Sequence, residues 1–191
     1  MFAALLWALV TFSLQPAISV GIFFELLWLD LFPAGTFIPP HGLLSLCATL
    51  GVLACLPDPD MRTTALVVVL TLPLGYLGAW MEQRYRKRQN LSYNSLILWN
   101  RRGVSHPFTP DRLVIQALAE IFAMNLALFL ASSSAVLVIV RLAQPLLAGG
   151  PQPGWPMLWI AAAAGAILAL RMRRAYALAG ATLVIGILAT L

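Results

Sequence analysis

Two carboxylates, an indole, a hydroxyl and an imidazole fall within one short stretch, residues 24–42, which reads FELLWLDLFPAGTFIPPHG. Glu25 and Trp28 are three residues apart, so a helix puts them on one face. An acid beside an indole suits a polyhydroxylated ligand: the carboxylate accepts hydroxyl hydrogen bonds while the ring stacks on C–H faces. Asp30, Thr36 and His41 add polar groups along a backbone that Pro33, Gly35, Pro39 and Pro40 interrupt. Glu25, Trp28, Asp30, Thr36 and His41 are therefore the expected substrate-binding residues. The plainer alternative pairs Glu25 with a buried backbone N–H or an arginine, and has Asp30 cap a helix end.

The surroundings sharpen this expectation. The chain is 61% hydrophobic and 10% charged, with mean hydropathy +0.87, whereas a soluble domain carries about 25% charged residues. So little charge cannot solvate the outside of a soluble protein. The expected fold is an all-α, polytopic integral membrane helical bundle, with residues 24–42 as a re-entrant, ligand-facing segment. Backbone groups freed by proline and glycine are costly in hydrocarbon unless they are buried in protein or line a wet cavity. Ionisable residues at membrane depth mark functional sites by default. The length allows one membrane domain, residues 1–191, and no sizeable soluble one.

Residues 1–56 read as broken helices plus the re-entrant segment. An apolar run from Met1 is interrupted at Gln15-Pro16, and neither half reaches the roughly 20 residues of a spanning helix. Two short helices are expected, with Ser13 and Ser19 helping to satisfy backbone freed near Pro16. No basic region or small-residue cleavage site marks a secretory signal, so Met1 onward is read as mature chain. Leu43–Leu56 is a short apolar helix closed by Pro57-Asp58-Pro59-Asp60, and Thr63–Met81 is a full span carrying Pro73, Gly75 and Gly78. The two glycines are positions where a neighbouring helix can approach closely, and Trp80 and Tyr85 fall where an interfacial aromatic belt belongs.

Residues 83–112 form the chain's long polar region, expected to lie as an amphipathic segment on the cytoplasmic face. Asp111 is placed to cap the next helix. Residues 113–191 hold the C-terminal spans, beginning with Leu113–Val140. Within that span Glu120 and Asn125 either add to a polar pathway or, for Glu120, snorkel or pair with Arg112. Ser132-Ser133-Ser134 is expected to bond back to its own helix.

Net charge is +5, but the cations flank apolar segments, which reads as topology rather than nucleic-acid recognition. Seven of them lie from Arg84 to Arg112 and three more at Arg171, Arg173 and Arg174. Both clusters fall on the cytoplasmic side if Pro57–Arg62 and Gln144–Trp155 face outward. Cys47 and Cys55, eight residues apart, are too far separated on a helix to bridge. No P-loop, HExxH, GxSxG or Cys/His cluster occurs, so neither a metal nor a cofactor is expected and the chain does not read as an enzyme. Acid–base chemistry by Glu25 or Asp30 lacks partner groups in the sequence.

The order of these features resembles the IIC subunit of the mannose/fructose/sorbose family of bacterial phosphotransferase-system permeases. The resemblance is carried by Ala17–Gly42, AISVGIFFELLWLDLFPAGTFIPPHG, where the family has an apolar helix ending in a Glu-containing run and then a Pro/Gly stretch ending in PP or AP. PLGYLGAWMEQRYRKRQN, from Pro73, looks like the family's glycine-bearing helix leading into a basic segment. The resemblance implies a multi-pass subunit of the bacterial inner membrane that forms a hexose path with a IID partner. Cytosolic IIA and IIB subunits would carry the phosphate, and the assembly would be a homotrimer. Glu25, the Pro33–Pro40 stretch and His41 would then handle the sugar. Family members carry a further apolar segment upstream, and many have Asp at the place of His41. The first departure motivates a rival reading as a non-transporting scaffold or permease remnant.

Overall fold

The computed structural model describes residues 1–29, 31, 38–101, 110–147 and 152–169, with residues 177, 180, 181, 184 and 185 beyond them. Among the described residues it has six helices: α1 (Phe2–Thr11), α2 (Leu14–Leu27), α3 (Gly42–Ala54), α4 (Met61–Arg101), α5 (Pro110–Leu147) and α6 (Trp155–Ala169). No strand occurs among the described residues.

α1 and α2 are two short helices, as expected, but the break is not at Pro16. It lies at Phe12, whose φ of 54° is left-handed, and Ser13. Pro16 instead sits in the first turn of α2, where a missing N–H leaves no intrahelical bond unmade. Ser13 Oγ meets the Thr11 hydroxyl rather than freed backbone. The chain doubles back there: a Cβ on Gly21 would lie 2.8 Å from Ala4 Cβ. Ala4, Ala8 and Ala17 are buried along the same seam. Small residues on both helices permit this close hairpin.

α3 runs antiparallel to α4. His41 at its start lies beside Gly75 and Gly78, while Thr49 further along meets Thr71, their hydroxyls 2.7 Å apart. Thr49 also bonds back to Ser45 O, so its polar group is satisfied in a buried place. α5 returns antiparallel to α4: Tyr85 donates to Ala117 O at 2.7 Å, and Arg62 near the other end donates to Leu147 O at 3.0 Å. That guanidinium meets the last carbonyl of α5, where a cation is favoured. α6 lies on α2, with Trp159 Nε1 donating to Ser19 O. The buried core, centred on Val20, Val52, Val67, Val68 and Val140, joins the helices.

α4 departs most from the sequence reading. Its 41 residues run without interruption past Met81, about 60 Å at 1.5 Å per residue. The described part of the polar stretch is thus not a separate helix but the continuation of α4. The physical reason is local: neither proline nor glycine occurs between Gly78 and Arg101, and Glu82–Arg86 is a supporting i,i+4 pair. Tyr85 is likewise buried between helices rather than standing in an aromatic belt. Trp80 is exposed, with the Arg84 guanidinium 4.7 Å from its ring centroid. Asp60 caps α4 through Thr63 N at 2.9 Å, whereas Asp111 lies inside the first turn of α5 because that helix already begins at Pro110.

α4 and α5 are both long and apolar enough to cross a membrane. Ile115, Leu118, Phe122, Leu130 and Leu142 of α5 are all exposed.

Candidate functional site

Backbone interruption in the 24–42 stretch delivers its residues to two hollows rather than one. The first is a cavity of about 400 Å³ whose lining includes Glu25, Trp28, Pro39, Pro40 and Gly42. The second is a cavity of about 630 Å³ lined by His41 together with residues of α4 and α5. Residues 39–42 form the partition, since Pro39, Pro40 and Gly42 border one space and His41 the other. His41 N donates to Gly75 O at 2.9 Å and fixes this partition to α4.

In the first cavity the i,i+3 spacing has its expected effect, and Glu25 and Trp28 line one wall. The Glu25 side chain is 58% exposed and pairs with the amino group of Met1. It meets neither a backbone N–H nor an arginine among the described residues. Trp28 is wedged. One face stacks on Phe24 with ring centroids 5.2 Å apart, and a Cβ on Gly75 would come within 2.9 Å of its ring carbons. Gly42 crowds the ring's other carbons at 3.1 Å in the same sense. A phenylalanine therefore occupies one stacking face that the sequence reading assigned to a ligand. What Trp28 retains is its indole N–H, buried and without an acceptor among the described residues, as is the nearby Ser45 hydroxyl. A buried donor left unmade costs about 1–3 kcal/mol. Asp30 and Thr36, the other expected ligand residues, lie outside the described residues.

In the second cavity His41 Nε2 meets Glu82 Oε2, and Arg86 donates to the other carboxylate oxygen, its Nε at 2.8 Å. Gln89 and Asn90 from α4 and Asn125 from α5 complete the polar lining. Asn125 donates to Ile121 O, which leaves its side-chain oxygen for other use. Sequence reasoning assigned Glu82, Arg86, Gln89 and Asn90 to an interfacial segment and so missed them. The Glu82–Arg86 spacing was the available signal, but alone it describes any solvated helix face.

The remaining polar residues behave as ordinary helix side chains. Glu120 accepts from Gln116 at 2.9 Å rather than meeting Arg112. Ser132 and Ser134 bond back to Phe129 O and Leu130 O as expected, but the buried Ser133 hydroxyl does not and has no partner among the described residues. Cys47 and Cys55 are both free thiols. No group of three or more metal-ligating side chains occurs among the described residues.

Compared with protein-family models, with curated proteins and with solved structures, the chain matches none.

Proposed function

We propose that the chain is the IIC membrane subunit of a phosphotransferase-system permease of the mannose/fructose/sorbose type. In this reading it is a multi-pass protein of the bacterial inner membrane. It forms the path of a hexose with a IID partner, as one protomer of a trimer, while IIA and IIB subunits carry the phosphoryl group. The supporting observation is that Glu25, Trp28, Pro39 and Pro40, the residues on which the family resemblance rests, line one open cavity. Glu25 presents an exposed carboxylate to it, an acceptor for ligand hydroxyls.

The outward apolar surface of α4 and α5 supports a lipid environment, because exposed apolar area of this extent is unfavourable in water. The Arg62–Leu147 contact supports placing Pro57–Arg62 and the residues after Leu147 at one side, as the cation distribution requires.

Uptake and phosphorylation of labelled hexoses, measured in cells with and without this gene, test the proposal. Loss on deletion and return on re-expression are expected. Glu25→Gln should lower uptake about tenfold, the worth of one weakened charge-assisted hydrogen bond. Unchanged uptake of mannose, fructose, sorbose and N-acetylgalactosamine after deletion would overturn it.

A further inference from the structure

The cavity around Glu82 has no part in the reading above. Its volume of about 630 Å³ falls within the 300–1,000 Å³ of ordinary small-molecule sites. Its charges are spent on one another: one Glu82 oxygen is held by His41 and the other by Arg86. An incoming anion would meet the carboxylate, and an incoming cation the guanidinium. The polar capacity left over is amide in kind. Gln89 and Asn90 make no side-chain hydrogen bond among the described residues, and Asn125 has a free oxygen. Primary amides both donate and accept, and so do hydroxyl groups. Ile121 and Met124 add an apolar patch suited to C–H faces.

We infer that this cavity is a second binding site, for a neutral polyhydroxylated molecule, divided from the Trp28 cavity by the Pro39–Gly42 partition that His41 fastens to Glu82. Identifying the molecule as the transported hexose rests on the proposed function; the existence and neutrality of the site do not.

The test uses membranes from cells making the full chain with Cys47→Ser and Cys55→Ser. Single cysteines are then introduced by Leu43→Cys, which borders the Trp28 cavity, and by Ile121→Cys and Met124→Cys, which border the other. Maleimide labelling is followed with and without each of the four hexoses. At least threefold slower labelling of both Ile121→Cys and Met124→Cys is expected. Both are apolar lining positions outside the amide set, so their replacement leaves the recognising groups in place. Protection of Leu43→Cys alone would overturn the second site and leave the transport reading standing. Protection at neither cavity, with hexose uptake intact, would overturn the second site; with uptake also absent, both readings fall. Protection of Met124→Cys by inorganic phosphate would overturn its assignment to a neutral ligand.

Discussion

The two cavities are built in opposite ways. The one at Trp28 draws most of its wall from residues near one another in the chain, and its acid is exposed and weakly held. The one at Glu82 collects His41, Glu82 and Asn125 from three separate elements, and its acid is gripped at both oxygens. One therefore has a carboxylate free to meet a ligand, while the other uses its carboxylate as structure and leaves recognition to amides. A polar residue in an apolar chain can thus serve as a contact or as a fastening, and its hydrogen-bond partners tell which.

Each cavity is backed by a glycine of α4, and this gives the sharpest way to break the comparison. A Cβ on Gly78 would lie 2.9 Å from His41 Cβ, an atom tied to the partition's backbone. Gly78→Val should cost about 3 kcal/mol, the upper end for overpacking, read as a lower melting temperature of the purified protein. Gly75→Val presses on the Trp28 ring instead. It should cost about 2 kcal/mol and shift the Trp28 emission, isolated by subtracting a Trp28→Phe background. Equal emission shifts in both variants would mean that the partition does not separate the two spaces.

The acids give a smaller contrast. Glu82→Ala strands His41 and Arg86 and should destabilise by about 1–2 kcal/mol, whereas Glu25→Ala, at an exposed pair, should cost at most about 0.5 kcal/mol. Thermal unfolding of the two variants decides between fastening and contact. If Glu25→Ala proved the more damaging to stability, the assignment of roles would be reversed.

Asp60 is remote from both cavities and serves as the reference. Hydrogen bonds from the Thr63 side chain and backbone, with Arg62 nearby, hold this carboxyl below its ordinary range. A depressed folded-state value means that the cap's contribution is present above the ordinary carboxyl range, near pH 4, and is lost as pH falls through the lower folded value. Asp60→Ala should cost about 1 kcal/mol at neutral pH. Asp60→Asn should keep most of the cap and remove its acid sensitivity, seen as flatter melting temperatures between pH 5 and pH 2 (about 1 kcal/mol at most).

What was legible in the sequence was whatever depends on near neighbours. That two short helices open the chain, that a short helix follows His41 and that helices approach closely at Gly75 and Gly78 follow from apolar run lengths and glycine. The break at Phe12 rather than Pro16 and the doubling back there do not. The pairing of Glu25 with Trp28 on one wall follows from helical spacing. Long-range partnership was not legible. Nothing local says that His41 will reach Glu82, or that Phe24 will occupy a face of Trp28. The end of α4 was misjudged because composition changes at Glu82 while backbone propensity does not. A helix stops where its hydrogen bonds stop, not where its side chains become polar.

That continuity has a mechanical consequence. From Met61 to Arg101 the chain is a stiff shaft with a single soft joint, at Pro73, where one rung of the hydrogen-bond ladder is missing. The basic far end is a handle, and both glycine seats lie between handle and joint. Whatever takes hold of that handle can swing the seats together, with no intervening loop to absorb the stroke.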